Sequence, residues 1–404
     1  MKQISSTKYQ FNQVLERKGT NAMSLEGYRG YLFDPEEDLS GKYQEADFIK
    51  MWVADMEFAI APEIINAMKA RLEHPLLGYS MVADPSYALS FKQWCIKRYN
   101  WAIDTKHLVH AKGVVPALYD LIGHICKSDQ KVLIITPSYA FFKHGTDYNE
   151  VALVCSDLLE EKGEFRMDID DIKIKASDPK CVLAIFCSPH NPSGRLWSKE
   201  ELVAFGDVCL ENGLTIISDE IHCDLLRKDK IFTPLASLFP NSDKIITCMA
   251  PSKTFNLAGN MFANIIIPNE TLRLKYNENY LPVENPLSIV AAMAAYSEGH
   301  AWLVELIDYL DDNFKYLKSQ LDTYLPKATF KIPDATYLAW VDVSYYFNDN
   351  ENLTLFFAKN AGVLLEGGNM FVANADGYIR LNLACPRVIL EEGLRRVIKA
   401  ILEK

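Results

Sequence analysis

The chain has 404 residues, of which 49% are hydrophobic, and it carries a formal net charge of −11. This length exceeds what one hydrophobic core usually organises, so two domains are expected. The negative charge, without any block of Lys and Arg, argues against binding nucleic acid, because phosphates would be repelled.

The cysteines and the beginning of the chain predict its compartment. The nine cysteines are odd in number and form no CxxC pair, which is typical of reduced thiols rather than a disulfide framework. The polar first residues contain no apolar signal region, and no apolar run approaches the ~20 residues that span a bilayer. We therefore expect a cytoplasmic protein without a membrane partner.

Short apolar runs alternate with helical patterns between residues 105 and 270. The runs are rich in β-branched residues and lack polar alternation, as in strands covered on both faces of a mainly parallel sheet. Strands are predicted at 131–137, 151–156, 181–189, 214–220, 244–249 and 263–268, and helices at 116–127, 139–147 and 198–212. This alternation predicts an α/β layer fold with right-handed crossovers.

The pattern changes after Pro286, where apolar spacings of three and four predict one long helix over 287–325. Shorter strands at 328–333, 336–343 and 378–385 and a final helix indicate a second, α+β domain. We expect residues 51–290 to form the large domain and residues 291–404 the small one. Residues 1–50 are expected to pack with the small domain.

Polar residues follow several of the predicted strands, at the sheet edge where open parallel sheets bind ligands. These residues are Tyr139, Asn191, Asp219, His222, Ser252 and Lys253. In addition, Gly113 precedes Val114 and Val115 just before a helix expected to begin at Pro116, which leaves free amides facing an anion.

Each of these residues also has an ordinary explanation when taken alone. Asn191 and Gly113 are common in turns, Asp219 is a helix N-cap, and Tyr139 and His222 are structural. Lys253 is then a solvated surface residue. Together, however, an amine, an acid, an amide, an aromatic ring and an anion site match the needs of pyridoxal phosphate. No metal is expected.

Stretches along nearly the whole chain carry a family resemblance. They are 51–58, 76–80, 113–118, 136–142, 187–197, 218–225, 250–259, 284–291, 336–340 and 378–386. The sequence resembles fold-type I pyridoxal-phosphate enzymes of the class I/II aminotransferase superfamily. Within it, the resemblance is greatest to carbon–sulfur β-lyases of the cystathionine β-lyase type.

The resemblance implies a role for each candidate residue. Lys253 would bond to the cofactor aldehyde and act as the base at Cα, Asp219 would pair with the pyridinium, and Tyr139 would stack on the ring. Asn191 and His222 would lie near the phenolic oxygen, and Arg380 would bind the substrate carboxylate bidentately. The phosphate would be held by Val114, Val115 and Ser252, together with Tyr79 from the other subunit of a homodimer.

Two positions depart from the pattern of many aminotransferases. Met261 stands where an arginine eight residues beyond the lysine often grips the phosphate, and His222 stands where tyrosine is frequent. Both departures fit the β-lyase branch, and they bear most directly on phosphate affinity.

The predicted reaction is β-elimination of sulfur-containing L-amino acids, such as cystathionine or cysteine S-conjugates, to a thiol, pyruvate and ammonia. An aminotransferase would use the same site with a different fate for the carbanion, so it remains an alternative. A non-catalytic regulator on this scaffold is a further alternative. The presence together of Lys253, Asp219, Asn191 and Arg380 speaks against it, because a retired site has no need of all four.

Overall fold

The predicted alternation of strands and helices is present in the computed structural model, which describes residues 8–279 and 282–404. In chain order, its strands are Ile49–Lys50 (β1), Leu108–Ala111 (β2), Lys131–Thr136 (β3), Ser138–Tyr139 (β4), Ala152–Asp157 (β5), Leu159–Glu161 (β6), Glu164–Arg166 (β7), Cys181–Cys187 (β8), Thr215–Asp219 (β9), Ile245–Met249 (β10), Ala263–Ile266 (β11), Leu338–Asp342 (β12), Val363–Leu364 (β13), Glu366–Gly367 (β14), Phe371–Val372 (β15) and Tyr378–Asn382 (β16).

Helices cover both faces of the main sheet. They are Met23–Glu26 (α1), Arg29–Leu32 (α2), Pro62–Glu73 (α3), Pro85–Tyr99 (α4), Val114–Ile125 (α5), Ala140–Tyr148 (α6), Ile169–Ala176 (α7), Lys199–Glu211 (α8), Leu235–Leu238 (α9), Pro251–Thr254 (α10), Glu270–Asn279 (α11), Pro286–Glu298 (α12), His300–Tyr324 (α13), Leu353–Ala361 (α14) and Arg387–Leu402 (α15). The predicted helix at 198–212 is present as α8, which begins with a capping box formed by Ser198 and Glu201.

The main sheet has seven strands within the described residues, in the order β2-β11-β10-β9-β8-β3-β5. The five strands from β10 to β5 run parallel, whereas β11 pairs antiparallel with both β10 and β2. Because β8, β9 and β10 are adjacent and parallel, their carboxyl ends meet at one edge. The predicted fold class, a mainly parallel mixed sheet covered by helices beside smaller α+β structure, is confirmed.

The prediction of one long helix over 287–325 is wrong. The segment forms α12 and α13, which are separated at Gly299. A Cβ at Gly299 would lie 2.5 Å from the Ala295 carbonyl oxygen and 2.5 Å from the Phe255 ring. The junction therefore has no room for a larger side chain than that of glycine, a packing constraint that helical periodicity does not reveal.

The C-terminal part contains an antiparallel sheet in the order β12-β16-β14. The strand predicted at 328–333 is wrong, because that segment contributes only an isolated bridge between Thr329 and Asp342. In the described ranges, no helix combines the length and the apolar character needed to cross a membrane.

Residues before position 51 contact both parts of the chain. Strand β1 pairs parallel with β13, and the side chains of Leu32 and Phe48 pack with Leu364. Toward the other part, 51–290, Arg17 Nη2 donates a hydrogen bond of 2.8 Å to Asp55 Oδ2. The division into domains at residues 50 and 290 stays a prediction.

Candidate active site

A cavity of about 300 Å³ lies beyond the carboxyl ends of β8, β9 and β10. The structure brings nearly all of the predicted site residues to its wall, namely Val114, Val115, Tyr139, Asn191, Asp219, His222, Ser252, Lys253 and Arg380. Tyr79 is the exception: it does not line this cavity, and 95% of its surface is exposed.

Lys253 follows β10 in the short helix α10 and points its amine into the cavity. Its Nζ donates a hydrogen bond of 2.7 Å to the carbonyl oxygen of Ala54. Burial lowers the pKa of Lys253 to about 8, and the nearby Arg380 guanidinium acts in the same direction, against Asp55 and Asp219. A solvated surface lysine, the alternative interpretation, does not describe this residue.

Asp219 is the last residue of β9 and is 6% exposed. Its Oδ1 accepts a hydrogen bond of 3.2 Å from the N–H of Ile221, so the carboxyl group also closes the turn after the strand. Burial raises the pKa of Asp219 to about 6, while Lys253 opposes that shift. A cationic partner inside the cavity would favour the ionised form.

His222 and Asn191 both line the cavity and are both buried. Burial lowers the pKa of His222 to about 3, and the charges of Lys253 and Arg380 lower it further, so the imidazole is neutral. Its Nδ1 has no hydrogen-bond partner within the described residues. Buried polar atoms are rarely left unpaired, so this nitrogen is available to a ligand.

The start of α5 forms part of the cavity wall. The helix begins at Val114, two residues before the predicted start, and Gly113 precedes it with φ of 146°, a conformation that favours glycine. The first amides of a helix have no partner within it, so they attract an anion. Lys112 and Met261 also line this cavity, and Met261 offers no charge to a phosphate.

Arg380 lies on β16 and is 2% exposed. Its Nη1 donates to Asn191 Oδ1 at 3.0 Å and its Nη2 to the Trp52 carbonyl oxygen at 3.2 Å. The guanidinium also forms an ion pair with Glu366.

Sequence reasoning missed some residues of the cavity wall, namely Met23, Tyr31, Ala54 and Glu366. Glu366 faces Arg380 only because β14 and β16 pair in that register. Met23 and Tyr31 come from an N-terminal segment of mixed composition that gives no local signal of a site.

The loop that carries Ala54 is fixed from two directions. Asn382 Nδ2 donates to the carbonyl oxygens of the two residues that flank Ala54, at 2.7 and 2.5 Å. From the N-terminal segment, Arg17 binds Asp55 at 2.8 Å and Glu57 at 2.9 Å. The acceptor of the Lys253 amine is therefore held by both ends of the chain.

These residues fit pyridoxal phosphate. The cavity joins an amine of lowered pKa, a buried acid, an aromatic ring and the amino end of a helix, which are suited to an aldehyde, a pyridine nitrogen, a flat ring and a phosphate. The unpaired His222 Nδ1 faces the same space. By contrast, the described ranges contain no group of three or more His, Cys, Asp or Glu residues placed to hold a metal ion.

Comparison with known proteins agrees with this class of fold and site. Residues 46–400 match the family model described as aminotransferase class I and II. The chain belongs to that family. It is also 37% identical over 396 residues to the cystathionine beta-lyase PatB of Bacillus subtilis, across 97% of this chain and 99% of that protein.

Solved structures give the same result. A PLP-bound C-S lyase from Staphylococcus hominis, in complex with the inhibitor L-cycloserine, is 46% identical with a TM-score of 0.95, over 98% of this chain and 99% of that chain. Cystalysin from Treponema denticola, whose structure contains pyridoxal 5'-phosphate, is 31% identical with a TM-score of 0.91, over 98% and 99% of the two chains.

Proposed function

We propose that this protein is a pyridoxal-phosphate-dependent carbon–sulfur β-lyase. It would convert a sulfur-containing L-amino acid, such as cystathionine or a cysteine S-conjugate, with water into a thiol, pyruvate and ammonia. The observation that carries the proposal is the convergence of Lys253, Asp219 and Arg380 on one cavity. The relatives named as carbon–sulfur lyases support the choice of reaction.

When bound, pyridoxal phosphate supplies an aldehyde that bonds to amines and a ring that stabilises negative charge at Cα. Asp219, once ionised, would keep a proton on the ring nitrogen. Tyr139 would pack against the ring, and the amides of Val114 and Val115 would hold the phosphate together with Ser252. Arg380 binds the carboxylate of the substrate and so fixes its orientation.

Lys253 has two tasks in this scheme. Its amine would hold the cofactor through the aldehyde and would also accept the proton from Cα of the substrate. Both tasks need the unprotonated amine, and the lowered pKa of about 8 makes that form accessible near neutrality. A neutral carbonyl, that of Ala54, accepts the hydrogen bond of the amine, so no carboxylate fixes a proton on it directly.

The enzyme class is tested by the absorbance of the purified protein. A bound cofactor gives a visible band that borohydride bleaches, and Lys253→Ala should lose the covalent attachment while Lys244→Ala, an exposed control, keeps it. A wild-type protein that shows no band after addition of the cofactor would contradict the proposal.

The reaction type is tested with cystathionine in the absence of a keto acid. Continued release of pyruvate and thiol over many turnovers indicates the lyase. A stop after one turnover, with the cofactor left as its amine, indicates the aminotransferase alternative, which the description of the matched family keeps open.

The proposal includes a cytoplasmic homodimer in which the partner subunit completes the phosphate site. Its support is a surface patch defined by the exposed side chains of Leu76, Leu77, Tyr79 and Met81. Contiguous exposed apolar surface is typical of protein interfaces. The large domain, 51–290, would carry the cofactor and the small domain, 291–404, would supply Arg380.

A further inference from the structure

Glu366 is a buried acid of the cavity wall to which the proposed reaction gives no task. It lies on β14 directly opposite Arg380 on β16, and the two side chains are 4% and 3% exposed. They form an ion pair. Directly opposite residues of antiparallel strands hold their side chains close together, so the sheet register fixes this contact.

Glu366 occupies one nitrogen of the Arg380 guanidinium, the group to which the substrate carboxylate would bind. Arg380 Nη1 donates a hydrogen bond to Asn191. Nη2 donates one to the Trp52 carbonyl oxygen and also forms the ion pair with Glu366. A guanidinium has five N–H donors, of which bidentate binding of a carboxylate uses two side by side. A substrate carboxylate at Nη2 therefore meets the Glu366 carboxylate at the same atom.

Two ionised carboxylates on one buried guanidinium repel each other, and one of them is favoured to take up a proton. Four groups on other elements face Glu366: Arg380 and Lys253, which are basic, and the hydroxyls of Tyr31 and Tyr139. Burial raises the pKa of Glu366 above its usual value despite Arg380 and Lys253. The acid is thus already inclined toward its neutral form.

We propose that Glu366 controls access of substrate carboxylates to Arg380: it holds the guanidinium in the free enzyme and takes up one proton from water when an amino acid binds there. The inference rests on the proposed role of Arg380. Glu366 then adds a pH-dependent cost to the binding of ligands that have a carboxylate, and it leaves ligands without a carboxylate unaffected.

The direction of the pH effect follows from the proton uptake. Below the pKa of Glu366 in the free enzyme, the acid is neutral and the substrate binds without competition. As the pH rises through that pKa, each amino acid must bring in a proton, so its Kd increases. If the bound carboxylate raises the pKa of Glu366 by about one unit, the loss of affinity reaches about tenfold.

The test compares Glu366→Gln with wild type, both as holoenzymes, through the change in cofactor absorbance. The ligands are L-alanine, which has no leaving group at Cβ, and L-alaninamide, in which an amide replaces the carboxylate. The ratio of the wild-type Kd to the variant Kd is measured across the pH range, so that titration of each ligand's own amine cancels. Glu403→Gln, an exposed acid paired with Lys42, is the control for net charge.

For alanine, we expect the ratio to rise by about tenfold with pH, while the ratio for alaninamide stays flat. A flat ratio for alanine, or weaker binding by Glu366→Gln at every pH, would overturn the inference and leave Glu366 as a support for Arg380. An absence of any absorbance change with either ligand in the wild type would instead overturn the proposed function, and the inference with it.

A second measurement covers the case in which the variant does not hold the cofactor. Calorimetric titration of the wild type in two buffers of different ionisation enthalpy counts the protons taken up on binding. At a pH between the pKa of Glu366 in the free enzyme and its higher pKa in the complex, alanine should take up more protons than alaninamide once the ionisation of each ligand's own amine is subtracted. Equal proton uptake by the two ligands would refute the role of Glu366 without any mutation.

Discussion

Lys253 carries a charge that its surroundings disfavour. Burial and Arg380 lower its pKa from 10.5 to about 8, so roughly a tenth of the amine is neutral at pH 7. We expect the rate at which the cofactor-free protein bonds to pyridoxal phosphate to rise with pH and to level off above pH 8. Stopped-flow absorbance measures that rate.

A soluble lysine derivative is the reference for this experiment, since its amine has the ordinary pKa. Its rate should keep rising toward pH 10.5, the usual value for the group. A midpoint for the protein that coincided with that of the free amine would mean that Lys253 is solvated.

Lys112 is the candidate for replacing the arginine that Met261 does not provide. It lines the cavity next to Gly113, at the end where the helix α5 begins. We expect Lys112→Ala to raise the Kd for pyridoxal phosphate by about tenfold, because one cation near a phosphate is worth about 1.4 kcal/mol. Equilibrium dialysis measures the affinity.

Pyridoxal, which lacks the phosphate, separates this effect from a general loss of structure. Its affinity should be the same for Lys112→Ala and wild type. The converse change, Met261→Arg, is expected to restore phosphate binding in the Lys112 variant. An equal loss of affinity for both compounds would show that Lys112 does not act on the phosphate.

At the scale of elements, the junction between α12 and α13 requires a residue without a side chain at position 299. Its Cβ position is 2.5 Å from both a backbone oxygen and the Phe255 ring, so a methyl group must displace one of them. We expect Gly299→Ala to lower the free energy of unfolding by about 1–3 kcal/mol. Denaturant titration followed by circular dichroism provides the measurement.

Gly30→Ala is the matched control, since it makes the same change in helix α2 where no atom lies within 4 Å of the added carbon. There, the better helix propensity of alanine should leave stability unchanged or raise it by up to about 1 kcal/mol. Equal effects at the two glycines would argue against the packing explanation.

The same helix pair shows where sequence reasoning succeeds and where it fails. Apolar periodicity located the helical segment correctly, because periodicity reports which face is buried. It did not find the break at Gly299, which depends on Phe255, a residue 44 positions earlier in the chain. Likewise, Glu366 could not be recognised beside Arg380, because their contact requires the strand register.

The parallel strands explain why the cavity residues at strand ends could be predicted, whereas the direction of β11 and the contribution of Tyr31 could not. Residues at the ends of adjacent parallel strands must converge, so Asn191, Asp219 and Lys253 followed from strand positions together with a family resemblance. The antiparallel direction of β11 was not foreseen, because its apolar run reads like that of its neighbours. Tyr31 was missed for the reason that nothing in its own segment points to a site.

At the scale of the whole molecule, the decisive question is whether two chains complete each site. Tyr79 is exposed in this chain and does not line its own cavity, as expected of a residue that contributes to the site of a partner subunit. We expect Tyr79→Ala and Lys253→Ala each to have little activity alone. After subunit exchange in an equal mixture, about a quarter of the sites should be native, because half of the dimers are mixed.

Pyruvate release measures the recovery, and mixing two batches of Lys253→Ala is the control. A mixture that stays as inactive as its components, although size-exclusion chromatography shows dimers, would mean that Tyr79 does not act across the interface. A monomer at working concentration would remove the shared site altogether.

The ion pairs of Arg17 with Asp55 and Glu57 connect the N-terminal segment to the loop that holds the Lys253 amine. Without these ion pairs the Ala54 carbonyl would be less firmly positioned, and the Lys253 amine would lose the hydrogen-bond acceptor that orients it. A truncation that removes Arg17 should therefore change the reactivity of the Lys253 amine, although 236 positions of the chain separate the two residues.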